Sequence, residues 1–115
     1  MTLAQVKEIL AALNPATASY VSVFAGRIAD TGMDPLPLMR EAVQLLKVNA
    51  KSELVWASSR EIFNIIQAND IGCHVITVTN DILKKLSLIG YDLNEYSLDT
   101  VKMFYDDARG AGFSL

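Results

Sequence analysis

At 115 residues the chain is long enough for one domain with one modest core, and with 51% hydrophobic residues it is not a disordered chain. A net charge of −3 and the lack of any long Lys/Arg cluster argue against nucleic acid as the main partner. No apolar run is long enough to span a bilayer and no signal-peptide pattern follows Met1, so no membrane partner is expected and the expected location is the cytoplasm. The lone cysteine, Cys73, has no partner for an internal disulfide and reads as a small buried hydrophobe. Its neighbour His74, the only histidine, would point to the opposite face of a strand, which argues against a nucleophile–base pair.

Thr2-Leu3-Ala4-Gln5 has the spacing of a capping box, and Leu3, Val6, Leu10 and Leu13 follow at helical intervals up to Asn14-Pro15. The run from Tyr20 to Ala25 predicts a first strand, with Val21 and Val23 on one face and Ser22, Phe24 and Gly26 on the other. Both faces are largely apolar, as for a parallel strand covered on both sides. A loop is expected from Ala29 to Pro35, with Asp34 capping and Pro35 opening a helix whose stripe is Leu38, Ala42 and Leu45. Leu54 to Ala57 predicts the second strand, and Ser58 with Glu61 has capping-box spacing for a helix carrying Ile62, Phe63, Ile65 and Ile66. His74 to Thr79 predicts the third strand, and a helix through Ile82, Leu83 and Leu86 follows. After Gly90, Ser97 is the expected cap of a last helix with Val101, Phe104, Tyr105 and Ala108 on one face, ending at Gly110 and Gly112. Such a face would dock on its own domain or on another subunit.

The chemistry concentrates at two places. Gly26 breaks the first strand and Arg27 follows at its C-terminal end, the end of a parallel sheet where ligands bind. A guanidinium there suits an anionic group such as phosphate, although a surface arginine after a strand is the plain alternative. The second strand runs directly into Ser58, Ser59 and Arg60, at an expected helix N-terminus whose free N–H groups favour anions. Ser58 or Ser59 acting only as a helix cap is the alternative there. His74, at the N-terminal end of its strand, reads as structural.

The expected class is α/β: a leading helix, about three parallel βα units and a terminal helix. Three parallel strands would expose two edges and leave one sheet face without helices. The pattern therefore reads as part of a (β/α)8 barrel, which needs roughly 250 residues, with self-association or a complementary partner supplying the rest.

Several stretches, in this order, resemble the C-terminal half of small bacterial transaldolases related to fructose-6-phosphate aldolase. They are Met1-Thr2-Leu3-Ala4-Gln5-Val6, Phe24-Ala25-Gly26-Arg27-Ile28-Ala29-Asp30-Thr31-Gly32, Trp56-Ala57-Ser58-Ser59-Arg60-Glu61, Gly72 to Val78 and Tyr96 to Ala108. The resemblance implies a TIM (β/α)8 barrel in which residues 1–115 form a single C-terminal half-barrel domain and the strands are barrel strands six, seven and eight. It implies transfer of a dihydroxyacetone unit between sugar phosphates through a lysine Schiff base, with no cofactor or metal. Arg27, Ser58 and Arg60 match the substrate phosphate site and Phe24 an active-site lining position. The aldolase-type relatives carry a proton-transferring tyrosine where this chain has Phe24, which favours transaldolase.

The family's Schiff-base lysine belongs to a fourth strand, and its proton-transfer acids to the first and third, all preceding Met1. Lys7, Lys47, Lys84, Lys85 and Lys102 fall on expected helices, and Lys51 precedes its strand, at the end opposite Arg27. None meets the need for a desolvated amine beside the substrate carbonyl. The expectation is a phosphate-binding half without a catalytic residue of its own. Its partners would be a sugar phosphate and either a complementary N-terminal half-barrel or a second copy; the alternative is a non-catalytic, sugar-phosphate-binding or self-associating fragment.

Overall fold

A computed structural model describes residues 1–112, which divide into two compact units, Met1–Lys84 and the segment from Lys85 onward. In the first unit, α1 (Leu3–Ala12) is opened by a complete capping box: the Thr2 hydroxyl accepts from the Gln5 N–H, and the Gln5 side chain accepts from the Thr2 N–H. There follow β1 (Ser19–Val23), α2 (Ala25–Asp30), α3 (Leu36–Leu46), β2 (Ser52–Trp56), α4 (Phe63–Asp70), β3 (Val75–Ile76) and α5 (Asn80–Leu83). The strands are all parallel, in the order β1-β2-β3, with Val21 beside Leu54, Ser22 beside Val55 and Val55 beside Val75. This open α/β sheet, with neighbouring strands consecutive in sequence, is the arrangement of a partial TIM barrel.

One sheet face carries the core. Val21, Val23, Leu54 and Trp56 are buried against Val6 of α1 and Met39, Ala42, Val43 and Leu46 of α3. The buried stripe of α3 is thus rotated from the expected one: Leu38 and Leu45 are half-buried at its margin, and the 39-42-43-46 spacing faces the sheet. Asp34 does accept from the Leu36 N–H, at 2.9 Å. The other sheet face lacks the cover that its apolar residues implied, as expected of three parallel strands standing alone. Tyr20 is 71% exposed and Phe24 45%, and Ser22 and Glu53 are exposed as well. Apolar residues on both faces therefore mark two surfaces, of which this unit buries one.

Several element ends differ from expectation, each for a visible reason. β1 stops at Val23 because the Arg27 and Ile28 N–H groups both turn back to the Phe24 carbonyl, so Ala25 to Asp30 is helix where strand end and loop were expected. The first turn after β2 is not helical: α4 begins at Phe63, and Ser58 caps nothing. Instead, Asn64 reaches back and accepts from the N–H groups of Arg60 and Glu61, at 2.8 and 3.1 Å. β3 is two residues long because the His74 imidazole, through Nδ1, accepts the Leu54 N–H at 2.9 Å, taking the place of a backbone acceptor. At its other end Thr79 leaves the sheet to cap α5.

The second unit holds a short 3-10 turn, Leu86–Leu88, and α6 (Leu93–Gly110). The cap of α6 is Asp92, whose carboxylate accepts from the Glu95 N–H at 3.1 Å; Ser97, the expected cap, lies inside the helix and donates to the Leu93 carbonyl at 2.7 Å. The Tyr91 hydroxyl donates to Asp99 at 2.6 Å, and its ring meets Tyr96 edge-on. No residue of α6 is buried, and Val101, Phe104 and Tyr105 stand exposed along it.

Candidate functional site

The C-terminal ends of β1 and β2 are locked together by backbone. The Ala57 N–H donates to the Val23 carbonyl at 2.9 Å, and the Gly26 N–H to the Ala57 carbonyl at 3.2 Å, so the ladder continues after both strands have formally ended. Gly26 has an ordinary helical φ; what it supplies is room. A Cβ at this position would collide with the Ser58 carbonyl, whose residue sits at a φ of +61°. That left-handed conformation costs a non-glycine residue of order 1–3 kcal/mol. It turns the Ser58 carbonyl onto Gly26, next to Arg27. Gly26, which the sequence marked as the residue that breaks the first strand, is thus a glycine needed for close approach of backbone.

Around this contact stand the side chains singled out in the sequence. Arg27 is exposed, and its guanidinium carbon lies 5.4 Å from the centre of the Phe24 ring, a cation–π stack. Arg60 makes a bidentate pair with Asp30 at the end of α2, with Nε to Oδ1 at 3.2 Å and Nη2 to Oδ2 at 2.7 Å. The hydrogen bond from Arg60 holds the Asp30 carboxyl below its usual range, and the charges of Arg60 and Arg27 add to this. The Arg60 guanidinium is held correspondingly above its usual range by the hydrogen bond to Asp30. Both arginines are thus within electrostatic reach of one carboxylate, and the three groups sum to a charge of +1. Ser59 is buried, and its hydroxyl donates to the Thr77 carbonyl, tying the end of β2 to the end of β3. It is a structural serine.

Phe24, but none of the other three singled-out residues, lines a recess of about 480 Å³ beside β1, bounded also by Gln5 and Ile9 of α1 and by Ser22. The edge of β1 lies there, since among the described residues β1 pairs only with β2. Lys51 is at the opposite end of the sheet, its Nζ donating to the Ala16 carbonyl at 2.8 Å, and Lys47 follows the last turn of α3 at that same end. Cys73 is half-buried, its thiol against the Leu54 carbonyl at 3.3 Å, and burial pushes its pKa up. That is the reverse of what a nucleophilic thiol needs. Among the described residues no cluster of His, Cys, Asp and Glu is placed to hold a metal ion, and no helix is long and apolar enough to cross a membrane.

Sequence reasoning passed over Asp30 as a functional residue. A carboxylate three positions after Arg27 was visible, in what read as a loop; its place on α2 and its pairing with Arg60, thirty residues on, needed the strands in register.

Comparison with known proteins bears on this arrangement. A family model described as transaldolase/fructose-6-phosphate aldolase matches residues 1–115. Over 72 residues the chain is 39% identical to a probable transaldolase of Clostridium kluyveri, covering 62% of this chain and 34% of that protein. It is 34% identical over 86 residues to a probable transaldolase of Herpetosiphon aurantiacus, covering 74% of this chain and 38% of the relative. Against a probable transaldolase of Clostridioides difficile it is 31% identical over 101 residues, 87% of this chain and 44% of the relative. The chain thus spans less than half the length of these relatives. With a match along its whole length and a sequential parallel sheet of the barrel type, the chain belongs to the transaldolase/fructose-6-phosphate aldolase family.

Proposed function

We propose that residues 1–115 are one half-barrel domain supplying the phosphate-binding half of a transaldolase site, in which a dihydroxyacetone unit passes between sugar phosphates through a lysine Schiff base. The observation that carries this reading is the packing of Gly26 on Ser58, which gathers Arg27, Ser58 and Arg60 at one sheet end. Arg27 and Arg60 bind the substrate phosphate, Ser58 adds a hydroxyl, and Phe24 lines the sugar channel. Phe24 has no proton to give, which favours transfer over the tyrosine-assisted aldolase reaction. The Schiff-base lysine comes from the strands that complete the barrel, on the same polypeptide or on another. Lys51 and Lys47 at the far end of the sheet support that assignment. So does the uncovered face of Tyr20, Ser22 and Phe24, with the β1 edge beside it, as the surface on which a complementary half or a second copy closes.

Two measurements test this. Changing Arg27 and Arg60 together to alanine should weaken fructose 6-phosphate binding roughly tenfold or more, the loss expected when charged hydrogen bonds of about 1.5–3 kcal/mol are removed; unchanged affinity refutes the clamp. Incubation with fructose 6-phosphate and borohydride should leave the mass of the chain unchanged. With the complementary half present, a reduced adduct should appear on a lysine of that half. An adduct on any lysine of residues 1–115 refutes the division of labour.

A further inference from the structure

Arg60 is held at three points. Asn64 accepts the Arg60 N–H and that of Glu61, which fixes the backbone, and Asp30 takes the guanidinium. The pair is made through the side edge of the guanidinium, Nε and Nη2. The end edge, Nη1 with the second Nη2 hydrogen, is a separate fork able to grip an oxyanion. A long, flexible side chain on an exposed loop would otherwise lose much of its freedom on binding. Among the described residues Arg27 has no comparable brace, only its stack on Phe24.

We infer that Asp30 is a positioning residue: it holds the side edge of the Arg60 guanidinium so that the end edge is presented to the ligand phosphate. This rests on the phosphate-clamp reading above. The pair joins the end of α2 to the loop after β2, so it also sets the spacing between the two halves of the clamp. Both side chains are about half exposed, 49% for Arg60 and 54% for Asp30. Exposed ion pairs contribute little to stability. The carboxylate is therefore not needed to hold the fold, and its bidentate geometry acts on orientation.

Charge counting and positioning predict opposite signs. Removing a carboxylate beside a phosphate site should tighten phosphate binding if only net charge matters. If Asp30 positions Arg60, Asp30→Asn should weaken inorganic phosphate binding, roughly threefold to tenfold. In an Arg60→Ala background the same change should no longer weaken binding and should tighten it. Asp30→Glu should recover part of the loss, and thermal melts of all variants should stay near that of the unaltered chain. A second readout needs no ligand: the Arg60 Nε–H resonance should be protected from solvent exchange in the unaltered chain and unprotected in Asp30→Asn. If Arg60→Ala weakens phosphate binding and Asp30→Asn leaves it unchanged or tighter, the inference is wrong and the clamp stands. If Arg60→Ala itself has no effect on phosphate, the clamp fails and the role of Asp30 fails with it.

Discussion

The two units of this chain are comparably rich in apolar residues and use them in opposite ways. In Met1–Lys84 the apolar side chains of three strands and four helices converge, and Trp56, Met39 and Leu54 are almost fully buried. From Lys85 onward the described residues include no buried side chain, and order comes from contacts a few residues apart: the Asp92 cap, Ser97 and Thr100 bonded back one turn, and Tyr91 closing on Asp99. The first kind of order is cooperative and depends on distant residues arriving together. The second is helix formation with local staples, whose individual increments are a fraction of a kcal/mol to about 1 kcal/mol.

The contrast is broken most directly by truncating one aromatic in each unit. Trp56→Ala should cost about 3–5 kcal/mol in urea unfolding, since it empties the centre of the core, whereas Phe104→Ala should stay within about 0.5 kcal/mol. Equal losses would mean that Phe104 is buried in solution and that the second unit has a packed partner. Trp56→Phe refines the first value. The indole N–H has no partner among the described residues, so replacing it removes an unsatisfied buried donor and should cost well under the alanine change.

A smaller effect separates two glycines, one from each unit. Gly26→Ala forces the Ser58 backbone away and should destabilise by about 1–3 kcal/mol, as overpacking does, while weakening phosphate binding. Gly90 has a φ of +76° with open space around it, so Gly90→Ala meets only conformational strain, about 1 kcal/mol, with phosphate binding untouched. The smallest expected effect is the pH response of Tyr91. Its hydrogen bond to Asp99 raises the phenol's pKa, with burial and the Asp99 charge acting in the same direction. An acid whose folded value is raised stabilises the fold fully below its unfolded value and loses that contribution as pH climbs through the folded one. The pair should therefore hold at neutral pH and fail above about pH 10. Ultraviolet titration of tyrosinate, with Asp99→Asn as the control, reads this directly: the variant should bring Tyr91 down toward the ordinary value.

Local chemistry was legible wherever neighbours in sequence decide the outcome. The Thr2–Gln5 capping box, the turn to α3 at Asp34-Pro35, the alternation of strand and helix, and the parallel sheet with a leading and a terminal helix all stand as the sequence implied. Arg27 follows β1, and Ser58 and Arg60 follow its neighbour β2, because a βα unit delivers the residues after each parallel strand to the same edge of the sheet. Tertiary structure decided what depends on register and space. Gly26 is there because the Ser58 carbonyl approaches it, His74 shortens β3 by accepting a distant N–H, and Asn64 replaces the serine cap expected for α4. The Asp30–Arg60 pair belongs with these. A carboxylate and a guanidinium thirty residues apart meet only once β1 lies against β2, and periodicity along one chain carries no record of that distance.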